Sequence, residues 1–399
     1  MALELEEKVS LLAEGAHFDV CSPHHTDASA PVAGPAQNWQ RWIYPAVVSG
    51  GRAVRLFKVL LTNVCDNSCL YCACRQGQDC RRSAFSPEEL VRAFLDLHAR
   101  GQADGLFLSS ALARSGARTM ARTLAAVELL RGRHDYRGYI HLKLLPGAER
   151  AAVERAMQLA DRVSINLEAP GPARLAALSR EKDFAALEER LRWAADLRRE
   201  RGAGAPAGIT TQFVVGAAGE SDAELLATAG RLYRQYNLAR VYYSAFRPLA
   251  GTPLAEAPAT PAARELRLYQ ADFLLHRYGF RPEELVLDAA GNLPLRQDPK
   301  MAWAKAHPEA FPLEINSADP AQLLRVPGIG PRGVKLILAA RREGKLRTEE
   351  QLRALGVSVG RAGPHLLLDG RRLHREAPRQ LALWDDAEDT DAGSAPSGR

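Results

Sequence analysis

Cys65, Cys69 and Cys72 stand in the run Thr62-Asn63-Val64-Cys65-Asp66-Asn67-Ser68-Cys69-Leu70-Tyr71-Cys72, a C-x3-C-x2-C spacing with an aromatic residue before the third thiol. Three thiolates in one short loop can hold three corners of a [4Fe-4S] cube and leave the fourth iron open to another ligand. An iron with a free site can do chemistry. Structural zinc is the alternative, but it usually takes four ligands in two separated pairs, and no second pair follows here. Cys74 or Cys80 would have to close a four-thiolate site for zinc, or for a closed electron-transfer cluster. Otherwise Cys21, Cys74 and Cys80 read as ordinary, partly buried thiols, and His24-His25 as solvent-exposed loop residues.

The chain around this loop has 399 residues, room for two to three domains at roughly 150 residues each. Its 46% hydrophobic and 25% charged fractions exclude a largely disordered, collagenous or membrane-spanning protein. Six cysteines are too few for a disulfide scaffold in so long a chain, and five of them cluster between positions 65 and 80. The first residues, MALELEEKVSLLAEGAHFDV, mix acids into a helical period and do not read as a secretory signal. No apolar run reaches the length of a transmembrane helix. The expectation is a cytoplasmic protein without a membrane partner, where thiols stay reduced and bind metal.

Short apolar runs then alternate with helical periods. Leu56–Leu61 reads as a strand, and Ser86-Pro87-Glu88-Glu89 opens a helix with an N-cap, a first-turn Pro and a capping-box Glu. Strands over Gly105–Ser109, Gly138–Leu144, Val163–Leu167, Ile209–Val215 and Arg240–Ala245 follow. Helices over Ser115–Leu130, Ala148–Leu159 and Phe184–Arg199, and one capped by Ser221 with Glu224, separate them. Six β/α units rich in Val, Ile, Leu and Phe argue for a parallel sheet covered by helices. Periodicity leaves open whether that sheet curls into a partial barrel, but either form puts reactive groups at the carboxyl ends of its strands. The organisation expected is an extension over 1–49, the α/β core over 50–255, and a connector over 256–312 with a helix from Ala262 to Tyr278. A second module over 313–375 and a tail over 376–399, acidic and then rich in Gly, Ser, Ala and Pro, complete it.

The cysteine loop resembles the signature of radical S-adenosylmethionine (SAM) enzymes. In that family the amine and carboxylate of SAM chelate the open iron, and the reduced cluster cleaves the sulfonium to a 5′-deoxyadenosyl radical that abstracts hydrogen. The resemblance implies a (β/α)6 partial TIM-type barrel, with Cys65, Cys69 and Cys72 as cluster ligands and flavodoxin or ferredoxin as reductant. It also implies SAM contacts. Tyr71 precedes the third thiol. Ser109 and Ser110 stand where the family usually has a Gly-Gly-Glu segment for the SAM amine, although the family's Glu is missing. Asn166 and Glu168, at alternate positions of the fourth strand, suit ribose hydroxyls, and Gly216 resembles the family's glycine-bearing segment near adenine. Read as strand-end turn residues, these later positions need no ligand at all.

A second signal lies in Asp319-Pro320-Ala321-Gln322-Leu323-Leu324-Arg325-Val326-Pro327-Gly328-Ile329-Gly330-Pro331-Arg332. Asp319 and Gln322 make a capping box, Pro327 to Gly330 force a tight turn, and Pro331 starts another helix. The segment resembles the helix-hairpin-helix motif, which binds duplex DNA without sequence preference, and the expected fold is a small all-α domain. Gly328, Ile329 and Gly330 would offer backbone N–H groups to a phosphate, and Arg332 and Lys335 would add charge. Between Ala321 and Arg375 twelve Lys and Arg stand against four Asp and Glu, a larger excess than the whole chain's +6. The alternative is a docking or purely structural hairpin. A degenerate second hairpin is expected at Leu355–Gly360.

Before the acidic tail, Gln380-Leu381-Ala382-Leu383-Trp384 resembles the peptide by which bacterial repair and replication proteins dock on the sliding clamp. Gln380 would set backbone direction, and Leu381, Leu383 and Trp384 would supply the apolar contacts. The order of the two modules resembles bacterial DNA modification or repair radical SAM proteins. The function implied is radical modification or repair of nucleic acid, with DNA preferred; an RNA-modifying radical SAM enzyme and a non-catalytic DNA-binding redox sensor are the rivals.

Overall fold

The computed structural model describes residues 4–17, 42–47, 53–113, 115–201 and 204–373. The chain divides into two compact units, 1–306 and 307–399.

In the first unit α1 (Leu5–Gly15) precedes β1 (Ile43–Val47) and β2 (Ala53–Leu60). Then come α2 (Pro87–Ala99), β3 (Gly105–Ser109), α3 (Gly116–Glu128), β4 (Tyr139–Lys143) and α4 (Arg150–Leu159). β5 (Arg162–Ser164), α5 (Pro172–Ala176), α6 (Phe184–Arg201), β6 (Gly208–Val215), α7 (Asp222–Tyr236) and β7 (Arg240–Ala245) follow. Two further helices, α8 (Ala262–Arg277) and α9 (Pro299–Ala306), end the unit.

The seven strands lie in chain order in one curled half-barrel sheet, and β2 to β7 are all parallel. β6 shows why the period reads as it does: every residue is buried, so both faces are covered. Ser86 and Glu89 cap α2 reciprocally, as Ser221 and Glu224 cap α7, and Asn237 ends α7 in the left-handed region.

Two features differ from the sequence expectation. β1 is an antiparallel edge strand that no signal marked; its Pro45 is tolerated because an edge needs fewer ladder donors. The fourth parallel strand stops at Ser164 rather than Leu167, because Glu168 takes φ +65° and meets β6 only through an isolated bridge to Phe213. Toward the amino-terminal end of the sheet, Tyr44, Ala46, Val54, Leu56, Phe107, Tyr139 and Ala207 form an apolar cluster.

Outside the barrel, β7 is tied to α7 and α8 by a buried carboxylate. Asp272 accepts from the Tyr243 hydroxyl at 3.0 Å and the Tyr233 hydroxyl at 2.9 Å. Burial lifts its carboxyl from 3.8 to about 6, against the pull of both phenol donors. The folded state therefore holds this proton more tightly than the unfolded chain. Its contribution is complete below pH ~4, declines as pH rises through the window to ~6, and leaves the fold about 3 kcal/mol poorer above it. Urea titrations of the wild type and Asp272→Asn across pH 4–8 should differ by this decline, and parallel curves would refute it.

The second unit contains β8 (Leu313–Glu314), α10 (Pro320–Arg325), α11 (Pro331–Glu343), α12 (Glu349–Ala354), α13 (Val359–Ala362), β9 (Leu366–Leu368) and β10 (Arg371–Arg372). Asp319 and Gln322 cap α10 as a box, and Ile315, Leu323, Val326, Ile329, Ile337, Leu352 and Leu366 fill its core. The unit is not all-α: β8, β9 and β10 form a three-stranded sheet. Strands of two or three residues carry no readable period, and pairing between Leu313 and Leu366 is a long-range event.

Candidate active site

The thiol loop leaves β2 and returns to α2, closed at its base by the Leu61 carbonyl accepting from Phe85 N–H at 2.9 Å. Inside it the Asn63 side chain donates to Arg81 O at 2.8 Å and accepts from Ser83 N–H at 2.7 Å. The Arg82 guanidinium donates to the carbonyls of Asn63, Cys74, Arg75 and Gln78 at 2.5 to 3.2 Å. One fixed fork thus holds both arms of an otherwise irregular loop. Backbone bonds from Ala111 to Thr62 O (2.9 Å) and from Asp66 to Leu112 O (2.8 Å) lash it to the segment after β3.

An open cavity lies at the carboxyl ends of the strands. Cys65, Cys69, Tyr71, Cys72, Ser109, Ser110, Asn166 and Glu168 all line it. Cys69 is buried and its Sγ lies 3.3 Å from Ser179 Oγ, whereas Cys65 and Cys72 are half-buried. Cys74 N–H donates to Cys72 Sγ at 3.4 Å, and Cys74 beside it brings the Cys72 thiol down to about 7 despite burial. Proximity to Cys72 and burial push the Cys74 thiol well above the thiol range. Burial raises Cys69, with Lys182 and Ser179 pulling the other way. Cys80 does not line the cavity; its Sγ lies 3.8 Å from Ala73 O. Among the described residues, no three His, Cys, Asp or Glu side chains are grouped to hold a single metal ion.

Asn166 and Glu168 reach the cavity by the left-handed turn rather than by strand alternation. Backbone bonds anchor that turn on β6: Glu168 N–H donates to Gln212 O at 2.9 Å and Val214 N–H to Glu168 O at 2.7 Å. Lys182 donates to the Glu168 carboxylate at 2.9 Å and to the Tyr71 hydroxyl at 3.0 Å, with side-chain exposures of 11% for Lys182 and 8% for Glu168. Burial works to discharge Lys182, yet Glu168, Tyr71 and Cys69 hold it well above its ordinary value.

Gly216 follows β6 and is not among the residues lining the cavity. Its φ is +91°, its N–H donates to the Glu220 carboxylate, and a Cβ there would stand 2.0 Å from Thr260 Oγ1. Only glycine fits this turn, which is the physical reason for its presence.

Lys182, Ser179 and Arg82 went unmarked in the sequence because Ser179-Arg180-Glu181-Lys182-Asp183 and Arg81-Arg82 read as solvated charge. Lys143, the last residue of β4, also lines the cavity. Its place at a strand's carboxyl end was the available signal.

The donor set suits an iron-sulfur cluster and SAM. Three thiols of one loop face the same space, and Ser109 Oγ is buried against it with no hydrogen-bond partner. A hydroxyl in that state accepts or donates as an amino-acid head group requires.

In the second unit, Gly328 takes φ +87°, and a Cβ there would stand 2.8 Å from Ser358 O, so this glycine lets the turn after α10 approach the start of α13. The Ile329 side chain is 1% exposed in the core, and its N–H donates to Val326 O at 3.2 Å. Gly330 precedes α11, on which Arg332 and Lys335 are exposed three residues apart on one face. Cys21, His24, His25 and the peptide Gln380, Leu381, Leu383 and Trp384 lie outside the described residues. No helix among the described residues is long and apolar enough to cross a membrane.

Residues 59–232 match the family described as the Radical SAM superfamily. Among curated proteins none matches. Of solved structures, the FeFe-hydrogenase maturase HydG from Carboxydothermus hydrogenoformans is 16% identical over 54% of this chain and 50% of its own, with a TM-score of 0.44. Methylornithine synthase PylB is 15% identical over 54% of this chain and 60% of its own, with a TM-score of 0.44. The radical S-adenosylmethionine methyltransferase TsrM from Kitasatospora setae, with cobalamin and [4Fe-4S] cluster bound, is 16% identical over 65% and 43%, with a TM-score of 0.40. The match spans about half the length of the first of these.

Proposed function

Residues 59–232 are a radical SAM domain, so the chain is a radical SAM enzyme using a [4Fe-4S] cluster and SAM; from that premise we propose that it modifies or repairs nucleic acid, DNA in preference to RNA. When bound, the two cofactors supply one-electron cleavage of a sulfonium and a carbon radical able to abstract hydrogen. Enzymes of this kind commonly draw the electron from flavodoxin or ferredoxin.

The chain's own residues do the positioning. Cys65, Cys69 and Cys72 would hold the cluster, with Arg82 fixing their loop and Cys74 N–H donating to Cys72. Ser109, Ser110 and Asn166 would meet the polar groups of SAM. The Glu168 carboxylate accepts from Lys182, and that charged pair, beneath Tyr71, gives the wall a set orientation.

The observation that carries the nucleic-acid reading is the charge of the second unit. Arg332, Lys335, Arg342, Arg371 and Arg372 are all exposed, and the helix pair around Pro327 to Gly330 sets the first two after its turn. Such a surface favours phosphates without reading bases. Arg332→Glu with Lys335→Glu should weaken duplex DNA binding by at least about tenfold and lower the salt slope by about 2. Mass spectrometry of nucleosides from DNA incubated with reduced, SAM-loaded protein should then reveal a new product. Tighter binding to folded RNA with an RNA product would move the reading to RNA, and intact SAM cleavage with no nucleoside changed would end it.

A further inference from the structure

Cys69 differs from the other two loop thiols in what surrounds its sulfur. It is 4% exposed, and its Sγ lies 3.3 Å from the hydroxyl of Ser179, itself 3% exposed. Backbone bonds build this contact from both sides. Leu70 N–H donates to Leu178 O at 2.9 Å, and Ser179 N–H donates to Leu175 O at 2.9 Å at the end of α5. Residues 69–70 and 178–179 are thereby held side by side.

With a free thiol the hydrogens run one way. Cys69 donates to Ser179 Oγ, and Ser179 donates to the Glu181 carboxylate at 3.1 Å, which also accepts from Ser68 Oγ at 2.5 Å. A cysteine that ligates iron is a thiolate; it has no hydrogen and can only accept. Any hydrogen between Oγ and Sγ must then come from Ser179, whose single O–H serves either Glu181 or Cys69. Glu181 is exposed, so water replaces what it loses, and it keeps Ser68. The Cys69 sulfur is buried from water, so the balance favours turning the hydroxyl toward it.

Three residues further on, Lys182 adds a charge. Its ammonium donates to Tyr71, which stands between Cys69 and Cys72 in the loop, and to Glu168. At Cys69 and at Cys72 the ammonium draws the thiol down more than the Glu168 carboxylate pushes it up, so the positive end of the pair faces the sulfurs. A donor to a ligand sulfur and a neighbouring buried cation both stabilise a cluster more when it carries one further negative charge.

We propose that Ser179 and Lys182 set the reduction potential of the cluster, Ser179 by donating its hydroxyl hydrogen to the Cys69 sulfur and Lys182 through its charge. The step they favour is a one-electron reduction by a flavin or iron-sulfur protein, with no bond made or broken. Neither side chain ligates iron, and both act through the sulfurs. The inference rests on Cys69 as a cluster ligand and is independent of the nucleic-acid reading.

The readout is the midpoint potential of full-length, anaerobically reconstituted protein without SAM, followed by electron paramagnetic resonance of the reduced cluster in samples poised with dithionite. Ser179→Ala should keep its iron and sulfide but lower the reduced-to-oxidised ratio at a fixed potential about tenfold, a downward shift of about 59 mV for one electron. Lys182→Met combined with Glu168→Gln, which leaves no lone buried charge, should lower that ratio at least about threefold, and it decides the matter if Ser179→Ala loses its cluster. Ser68→Ala removes the other hydroxyl bonded to Glu181 and should leave the potential at the wild-type value. An unchanged or raised potential in either of the first two proteins would overturn the proposal, as would a shift in Ser68→Ala as large as that in Ser179→Ala. A cluster that survives intact in Cys69→Ala would refute the ligand assignment, and this inference with it.

Discussion

Cys65→Ala, Cys69→Ala and Cys72→Ala should each yield protein that folds but, after anaerobic reconstitution, carries no intact cluster and releases no 5′-deoxyadenosine above a cofactor-free blank. The three thiols leave one loop and line one cavity, so each would hold a different iron of the cube. Cys74→Ala and Cys80→Ala should retain both cluster and cleavage. Cys74 donates to Cys72 through its backbone N–H, and Cys80 does not line the cavity. Iron and sulfide content together with product release separate these groups. A cluster that survives Cys65→Ala but disappears in Cys74→Ala would show that the chain caps every corner with its own sulfur.

Lys182→Met should be the most costly single change in the cavity wall away from the thiols. It leaves the Glu168 carboxylate, 8% exposed, without the ammonium 2.9 Å away. Removing one partner of a buried ion pair costs about 3–5 kcal/mol, mostly for the charge left behind. Adding Glu168→Gln should therefore recover at least half of the lost stability in a denaturant titration, since no lone charge then remains. A double variant no more stable than Lys182→Met alone would mean that the pair is not a coupled unit.

Much of the frame was legible before any coordinates. Ser86 with Glu89, Ser221 with Glu224 and Asp319 with Gln322 are capping boxes written within four residues, and all three form. Gly105–Ser109 and Arg240–Ala245 have the bounds their apolar runs predict. Reading failed where a partner far along the chain decides the outcome. β1 exists only because Ile43 to Val47 find the edge of β2, and Glu168 turns left-handed over β6 instead of continuing its strand.

Local spacing was enough to reveal the three-thiol loop, the alternation of strands and helices and the charge of the second unit, since each is carried by residues adjacent or periodic in the chain. Which side chains surround the thiols was decided by folding alone. Arg82 gathers four carbonyls, Lys182 crosses 111 positions to Tyr71, and Lys58, His141 and Arg162 meet on one face through strand register. Burial converts such side chains from solvated charge into fixed electrostatics, and burial is a property of packing that no short stretch of residues contains.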